Sequence, residues 1–171
     1  RERGTTLVDA LIDVALADGL ATEFRIEAPM HGDPAIVAQI LAHPNVVVGA
    51  SDAGAHLSQI CGAGDTTALL ATYVRERGDL GLEEAVHRVT GQPAELLGLR
   101  DVGRLAPGLA ADLVLFDPAR VALGEERYVR DVPGGAHRYL RDAVGIDAVF
   151  VAGEAIAEGG RYTEARPGRV L

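Results

Sequence analysis

Asp52 is the residue whose type and setting best suit chemistry. It ends the run Val46-Val-Val-Gly-Ala-Ser-Asp52 and lies in a turn of small residues, Ser51-Asp-Ala-Gly-Ala-His56. A carboxylate just past the C-terminal end of a strand sits where barrel and open α/β folds build their sites. There it can bind a metal ion or move a proton as a general base. It can equally cap its own turn through the backbone, and spacing alone leaves both readings open.

The companions of Asp52 are weaker. His56, four residues on, can face the same pocket or stand solvated at the loop tip. His31, in Pro29-Met-His-Gly-Asp33, follows a second candidate strand and carries the same two readings. His43 precedes Pro44 at a helix end, where the helix dipole explains it, and His87 and His137 read as structural or exposed. Cys61, in Cys61-Gly-Ala-Gly-Asp65, has no partner His at motif spacing and reads as a small buried residue. The Gly-Ala-Gly lacks the spacing of a phosphate loop. No HxH, HExxH or CxxC occurs, so the residues supply one metal ligand and some weak candidates, where zinc takes about three or four.

Alternating helices and short strands must position these groups. Leu7, Val8, Leu11, Ile12, Ala15 and Leu16 repeat at helical spacing, with Thr5 or Thr6 as the cap and Gly19 as the end. Thr22–Glu27 reads as a short strand. Asp33-Pro34 opens a helix whose stripe is Ile36, Val37, Ile40 and Leu41, and Pro44 stops it. Val46–Ala50 reads as a strand buried on both faces. Asp65 is expected to cap a helix from Thr66 to Arg77, Leu82–Val89 forms another ended by Gly91, and Pro93 opens one more turn. This order predicts a parallel sheet with right-handed crossovers. After Gly103 the character changes: Leu113–Phe116 is a strand, and Ile146–Val151 and Glu154–Ala157 form a hairpin turned by Gly153. Gly124–Gly145, with Pro133-Gly-Gly135, reads as a long excursion with little regular structure.

Composition bounds the partners. The 171 residues carry 25 Asp+Glu against 16 Lys+Arg, a formal charge of −9, and all of the fixed positive charge is Arg. Such a chain repels a phosphate backbone and an anionic membrane, which argues against both as partners. With 48% apolar residues a packed core is feasible. One cysteine excludes an internal disulfide framework, and a cytoplasmic location is expected. No apolar stretch is long enough to span a bilayer, and acidic residues interrupt the first apolar run as no signal peptide would allow. An opening of Arg1-Glu-Arg rather than Met points to a cleaved, trimmed or excerpted chain.

Three segments together resemble the C-terminal portion of the amidohydrolase superfamily, in the branch of N-acyl-D-amino-acid deacylases (D-aminoacylases). His43-Pro-Asn-Val-Val-Val-Gly-Ala-Ser-Asp-Ala-Gly54 is similar to that family's eighth barrel strand and its Ser-Asp ending. Leu82-Glu-Glu-Ala-Val86, continuing through Thr90 to Pro93-Ala94, is similar to the helical stretch that follows. Gly103-Arg-Leu-Ala-Pro-Gly-Leu-Ala-Ala-Asp-Leu-Val-Leu-Phe-Asp117 resembles the return into a small β-domain. The Pro133–Gly135 region and the closing Gly153–Gly168 also resemble the deacylase branch. The resemblance covers essentially the whole chain.

It implies an α/β fold: residues 1–102 as the last two βα units of a TIM-like metallohydrolase barrel, and 103–171 as part of a small β-sandwich domain. It implies cleavage of a C–N amide bond, in N-acyl-(D-)amino acids, with zinc as the expected cofactor. By the same resemblance Asp52 is the general base and metal-site aspartate, taking a proton from the attacking water and delivering it to the leaving nitrogen. His56 and His31 are the substrate-binding candidates. The family's HxH, its strand-four ligand and its later histidines would lie upstream of Arg1. The segment Ala55-His-Leu-Ser-Gln-Ile-Cys-Gly-Ala-Gly-Asp65 departs from the His-Pro-Arg element of D-aminoacylases, which leaves the acyl and amino-acid preference open. A complete barrel takes about 250 residues. The expectation is therefore an inactive isolated fragment that self-associates or is completed by the missing N-terminal part. Two alternatives stand beside it: a non-catalytic scaffold or assembly module, and another amidohydrolase branch, hydantoinase-like or dihydroorotase-like.

Overall fold

A computed structural model describes residues 4–24 and 32–170, in two compact units, Arg1–Pro34 and Ala35–Leu171. In the first, Thr6 caps α1 (Leu7–Ala17): its Oγ1 accepts from the Asp9 amide at 3.1 Å and donates to the Asp9 carboxylate at 2.6 Å. The cap satisfies an amide that the first turn leaves without a helical partner. The helix closes where Gly19 adopts φ +60° and the Leu20 amide donates to the Ala15 carbonyl at 2.7 Å. No residue of α1 is buried. Residues 22–24 are not in a strand, and the rest of the expected Thr22–Glu27 strand lies outside the described residues, as does His31.

Two helices of the second unit start where the sequence places them, and two are shifted. α2 (Pro34–Ala42) begins at the Asp-Pro pair and stops two residues before Pro44. α3 (Asp65–Ala68) runs on into a π-helical stretch, Leu69–Glu76, where the Arg77 amide reaches back five residues to the Thr72 carbonyl at 2.9 Å. Asp65 is the first helical residue rather than the cap; Gly64, at φ +104°, holds the cap position, and a side chain there would overlap Leu123. α4 is Leu82–Val89, as expected. The expected stop at Gly91 falls at Thr90 instead, and Gly91 opens α5 (Gly91–Leu96) with Pro93 inside it. A Cβ on Gly91 would lie 2.6 Å from His87 Nδ1, so a glycine lets the chain turn closely against His87.

The core forms between these helices and the residue that leads into the β-ribbon. Leu69 and Leu70 of the π-helical stretch meet Leu80, Ala85 and Val121, with Leu82, Val86 and Val89 packed against them. Leu82, Ala85, Val86 and Val89 follow helical spacing, so one stripe of α4 supplies the contact. Val121 is the largest side chain that is wholly buried.

Every strand pairing among the described residues is antiparallel. β1 (Leu113–Phe116) is an edge of one sheet, and β2 (Ala122–Val132) pairs with β3 (Ala136–Val144) in a separate two-stranded ribbon. β4 (Ile146–Val151), β5 (Glu154–Glu158) and β6 (Arg161–Tyr162) complete the first sheet in the order β1-β4-β5-β6. The β4–β5 turn places Ala152 and Gly153 at φ 49° and 82°, the paired positive angles that suit a two-residue hairpin.

Two expectations are corrected here. Gly124–Gly145 is the β2–β3 ribbon, and Pro133-Gly-Gly135 is its connection. Its strands pair through polar side chains, Arg127 with Asp142, Arg141 with Glu126 and Arg138 with Asp131, so apolar alternation does not mark it. The parallel sheet is absent among the described residues, and Val46–Ala50 is not in a strand. Its β-branched residues suit a strand, but a ladder needs a neighbour, and no described segment pairs with it.

Candidate active site

Asp52 stands exposed where the Val46–Ala50 segment turns over. The turn is capped by Ser51, whose Oγ accepts from the Ala53 amide at 3.2 Å, while the Asp52 carbonyl accepts from Ala55 at 2.9 Å. The Asp52 carboxylate takes no hydrogen bond from the described residues. It faces solvent as a free acceptor, able to take a proton or meet a cation.

The chain that leads into Asp52 and the loop that follows it are each anchored. At the base of the segment, Arg88 is buried and donates from Nη2 to the Ala42 carbonyl at 3.1 Å and from Nη1 to His43 at 3.4 Å. Its Nε and Nη2 also grip the Glu84 carboxylate at 3.0 and 2.8 Å. Gln92 Nε2 donates to the Val46 carbonyl at 3.4 Å. Helices α4 and α5 thus hold a segment that has no strand partner. At the tip, Gly62 passes so close that a Cβ on it would lie 2.6 Å from the Asp52 carbonyl carbon and 2.9 Å from the Ala53 amide.

The β2–β3 ribbon lies over the loop after Asp52. The Tyr139 amide donates to the Leu57 carbonyl at 2.9 Å, and His137 Nε2 lies 3.2 Å from the Ser58 carbonyl. Arg141 Nη1 donates to the Ala63 carbonyl at 3.1 Å, and Nη2 to Glu126 at 3.2 Å. His137 stacks on Tyr128 with ring centroids 4.7 Å apart, and Tyr139 meets Tyr128 edge-on at 5.5 Å. On the same ribbon, the Arg138 guanidinium holds the Asp131 carboxyl below its ordinary value.

His56 shares the turn with Asp52; it is exposed, at φ 47°, and its carbonyl accepts from the Gln59 and Ile60 amides. His43 is exposed beyond α2, its Nδ1 accepting from Asn45 at 3.2 Å. Cys61 is half-buried and free, beside Gly62. No three His, Cys, Asp or Glu side chains among the described residues are grouped to hold a metal ion. A zinc site needs about three or four such ligands, so these residues do not fit one.

Sequence reasoning missed Arg88, Gln92, Gly62 and Arg141. Glu84 and Arg88 show the i,i+4 spacing of a surface ion pair, which hides the contact of Arg88 with α2. Gly62 and Arg141 gave no sequence signal, because their importance lies in residues distant along the chain.

The description "Amidohydrolase family" attaches to the family model that matches residues 8–157. That match covers most of the chain, and the chain belongs to the amidohydrolase family. It is 38% identical over 143 residues to the N-acyl-D-aspartate deacylase of Alcaligenes xylosoxydans xylosoxydans, covering 81% of this chain and 26% of the relative. It is 41% identical over 108 residues to the N-acyl-D-glutamate deacylase of the same organism, covering 63% of this chain and 20% of that one. A solved D-aminoacylase, studied for the functional role of its binuclear metal centre, matches 62% of this chain and 20% of its own with 40% identity and a TM-score of 0.51. The chain spans a fifth to a quarter of the length of these curated relatives. No helix among the described residues is long and apolar enough to cross a membrane.

Proposed function

We propose that this chain contributes Asp52 to a site that hydrolyses the C–N amide bond of N-acyl-D-amino acids. The observation that carries the reading is the amidohydrolase match over residues 8–157, which brackets an exposed Asp52 carboxylate with no competing hydrogen bond among the described residues. Asp52 removes a proton from the attacking water and returns it to the leaving nitrogen, a role that suits a solvent-facing carboxylate. His56, in the same turn, and His31 are the proposed substrate-facing residues. In this reading residues 1–102 belong to the closing part of a barrel and 103–171 to a small β-domain. Asp52 also serves as the metal-site aspartate in this reading, and the remaining ligands for zinc come from outside the described residues. The isolated 171 residues are then inactive, and the site is completed by self-association or by a further polypeptide segment, in the cytoplasm.

Hydrolysis of N-acetyl-D-aspartate, N-acetyl-D-glutamate and a neutral N-acetyl-D-amino acid, followed by amine release, tests this on the natural polypeptide at its full length. Asp52→Asn is expected to lower kcat by about a hundredfold to ten-thousandfold, the range for a lost general base. Turnover unchanged in Asp52→Asn refutes the assignment. A second reading, a non-catalytic assembly module, is favoured by the lack of a grouped metal-ligand set among the described residues. Stoichiometric metal in a wild type that turns over, with turnover lost in Asp52→Asn, excludes it. A hydantoin or dihydroorotate cleaved in preference to N-acyl amino acids would move the chain to another amidohydrolase branch.

A further inference from the structure

We propose that the β2–β3 ribbon positions Asp52, with Arg141 as the positioning residue and Gly62 as the contact through which it acts. The inference rests on the reading of Asp52 as the proton-transferring group. The loop leaves Asp52, travels out to Leu57 and Ser58, and returns through Gly62 and Ala63 to α3. On the return it passes the Asp52 peptide so closely that a Cβ on Gly62 would lie 2.6 Å from the Asp52 carbonyl carbon and 2.8 Å from its oxygen. Those atoms are backbone, so neither partner can swing aside as a side-chain end would.

What keeps the returning arm of the loop there is Arg141. Its Nη1 donates to the carbonyl of Ala63, the residue after Gly62, at 3.1 Å. Its Nη2 is tied to Glu126 across the ribbon at 3.2 Å, so the guanidinium is fixed to β2 as well as β3. Its Nε is buried with no partner among the described residues. The outgoing arm of the loop is held by the same ribbon at Leu57 and Ser58. Both arms are thus referenced to one element, the β2–β3 ribbon, and the second arm is packed against the peptide that carries the reactive carboxylate. A displacement of about 1 Å at a reacting group can cost a hundredfold in rate.

The test uses the natural polypeptide at its full length with N-acetyl-D-aspartate, rates expressed per folded protein from circular dichroism. Arg141→Met is expected to lower kcat by about tenfold to a hundredfold with KM changed less than about twofold, because orientation and not binding is lost. Arg141→Lys, which keeps one donor for the Ala63 carbonyl, recovers part of that loss. Gly62→Ala lowers kcat in the same way. Arg130→Met is the control: Arg130 donates only within the ribbon, to the Gly135 carbonyl and the Tyr128 hydroxyl, both at 3.4 Å, and its loss leaves kcat unchanged. Hydrogen exchange on the same polypeptide reads the geometry without turnover: amides 53–63 exchange faster in Arg141→Met and not in Arg130→Met. If Asp52→Asn abolishes turnover while Arg141→Met and Gly62→Ala keep it, the positioning role is overturned and the role of Asp52 stands. Unchanged exchange at 53–63 in Arg141→Met overturns it independently. Turnover that survives in Asp52→Asn removes both.

Discussion

Replacing Arg88 by methionine tests whether a buried cation holds the segment that leads to Asp52. Arg88 is 8% exposed, and its guanidinium serves three acceptors, the carbonyls of Ala42 and His43 and the Glu84 carboxylate. The bond to Ala42 at 3.1 Å is charge-assisted and well formed, and such bonds contribute about 1.5–3 kcal/mol. The bond to His43, at 3.4 Å, is long and contributes about half as much. The ion pair adds less than about 1 kcal/mol, because the Glu84 side chain is 48% exposed and water replaces its partner. Methionine keeps the apolar stem, so the loss is confined to the donors. The expected cost is about 3 kcal/mol, read as a lower urea midpoint with an unchanged slope. Glu84→Gln removes only the ion pair and costs less than about 1 kcal/mol. Hydrogen exchange at the Val46 amide, which donates to the His43 carbonyl at 3.1 Å, rises in Arg88→Met alone. Equal costs for the two variants, or unchanged exchange at that amide, would show that Arg88 is an ordinary helix ion pair and refute the reasoning.

Val121→Ala should cost about 2–3 kcal/mol in the same urea experiment, since Val121 is 1% exposed among Leu69, Leu70, Leu80 and Ala85; a cost under about 1 kcal/mol would refute that packing. The Asp131 carboxyl, depressed first by its hydrogen bond from Arg138, gives the ribbon support that is fully present above its ordinary value of 3.8. That support is lost as pH falls through the lowered value. Carbon-detected NMR titration checks it: Arg138→Met should raise the Asp131 midpoint, and an unmoved midpoint argues against the pair.

The parts legible in the sequence were those decided by neighbours along the chain. Thr6 and Asp9 cap α1 through a three-residue loop of atoms, and Asp33-Pro34 opens α2 for reasons internal to one turn. Helix α4 and the Ala152-Gly153 hairpin are local in the same sense. The β2–β3 ribbon escaped because its strands are matched by charged and aromatic pairs rather than by an apolar alternation, and its Pro-Gly-Gly connection reads like any loop. Val46–Ala50 misled in the opposite direction: its residues have strand character, but strand formation is a property of a pair.

By itself, then, the sequence determined the starts of α1, α2 and α4, the β4–β5 hairpin and the family, and it offered Asp52 as the candidate. These depend on side-chain type and short spacing, which a linear string contains. Only the tertiary structure decided what holds Asp52. Arg88 acts on carbonyls 46 and 45 residues away, and Arg141 acts on one 78 residues away. Gly62 matters because its missing Cβ leaves room for the Asp52 peptide. A backbone carbonyl has no residue-specific signature, so no pattern of side chains announces which one a distant arginine will meet.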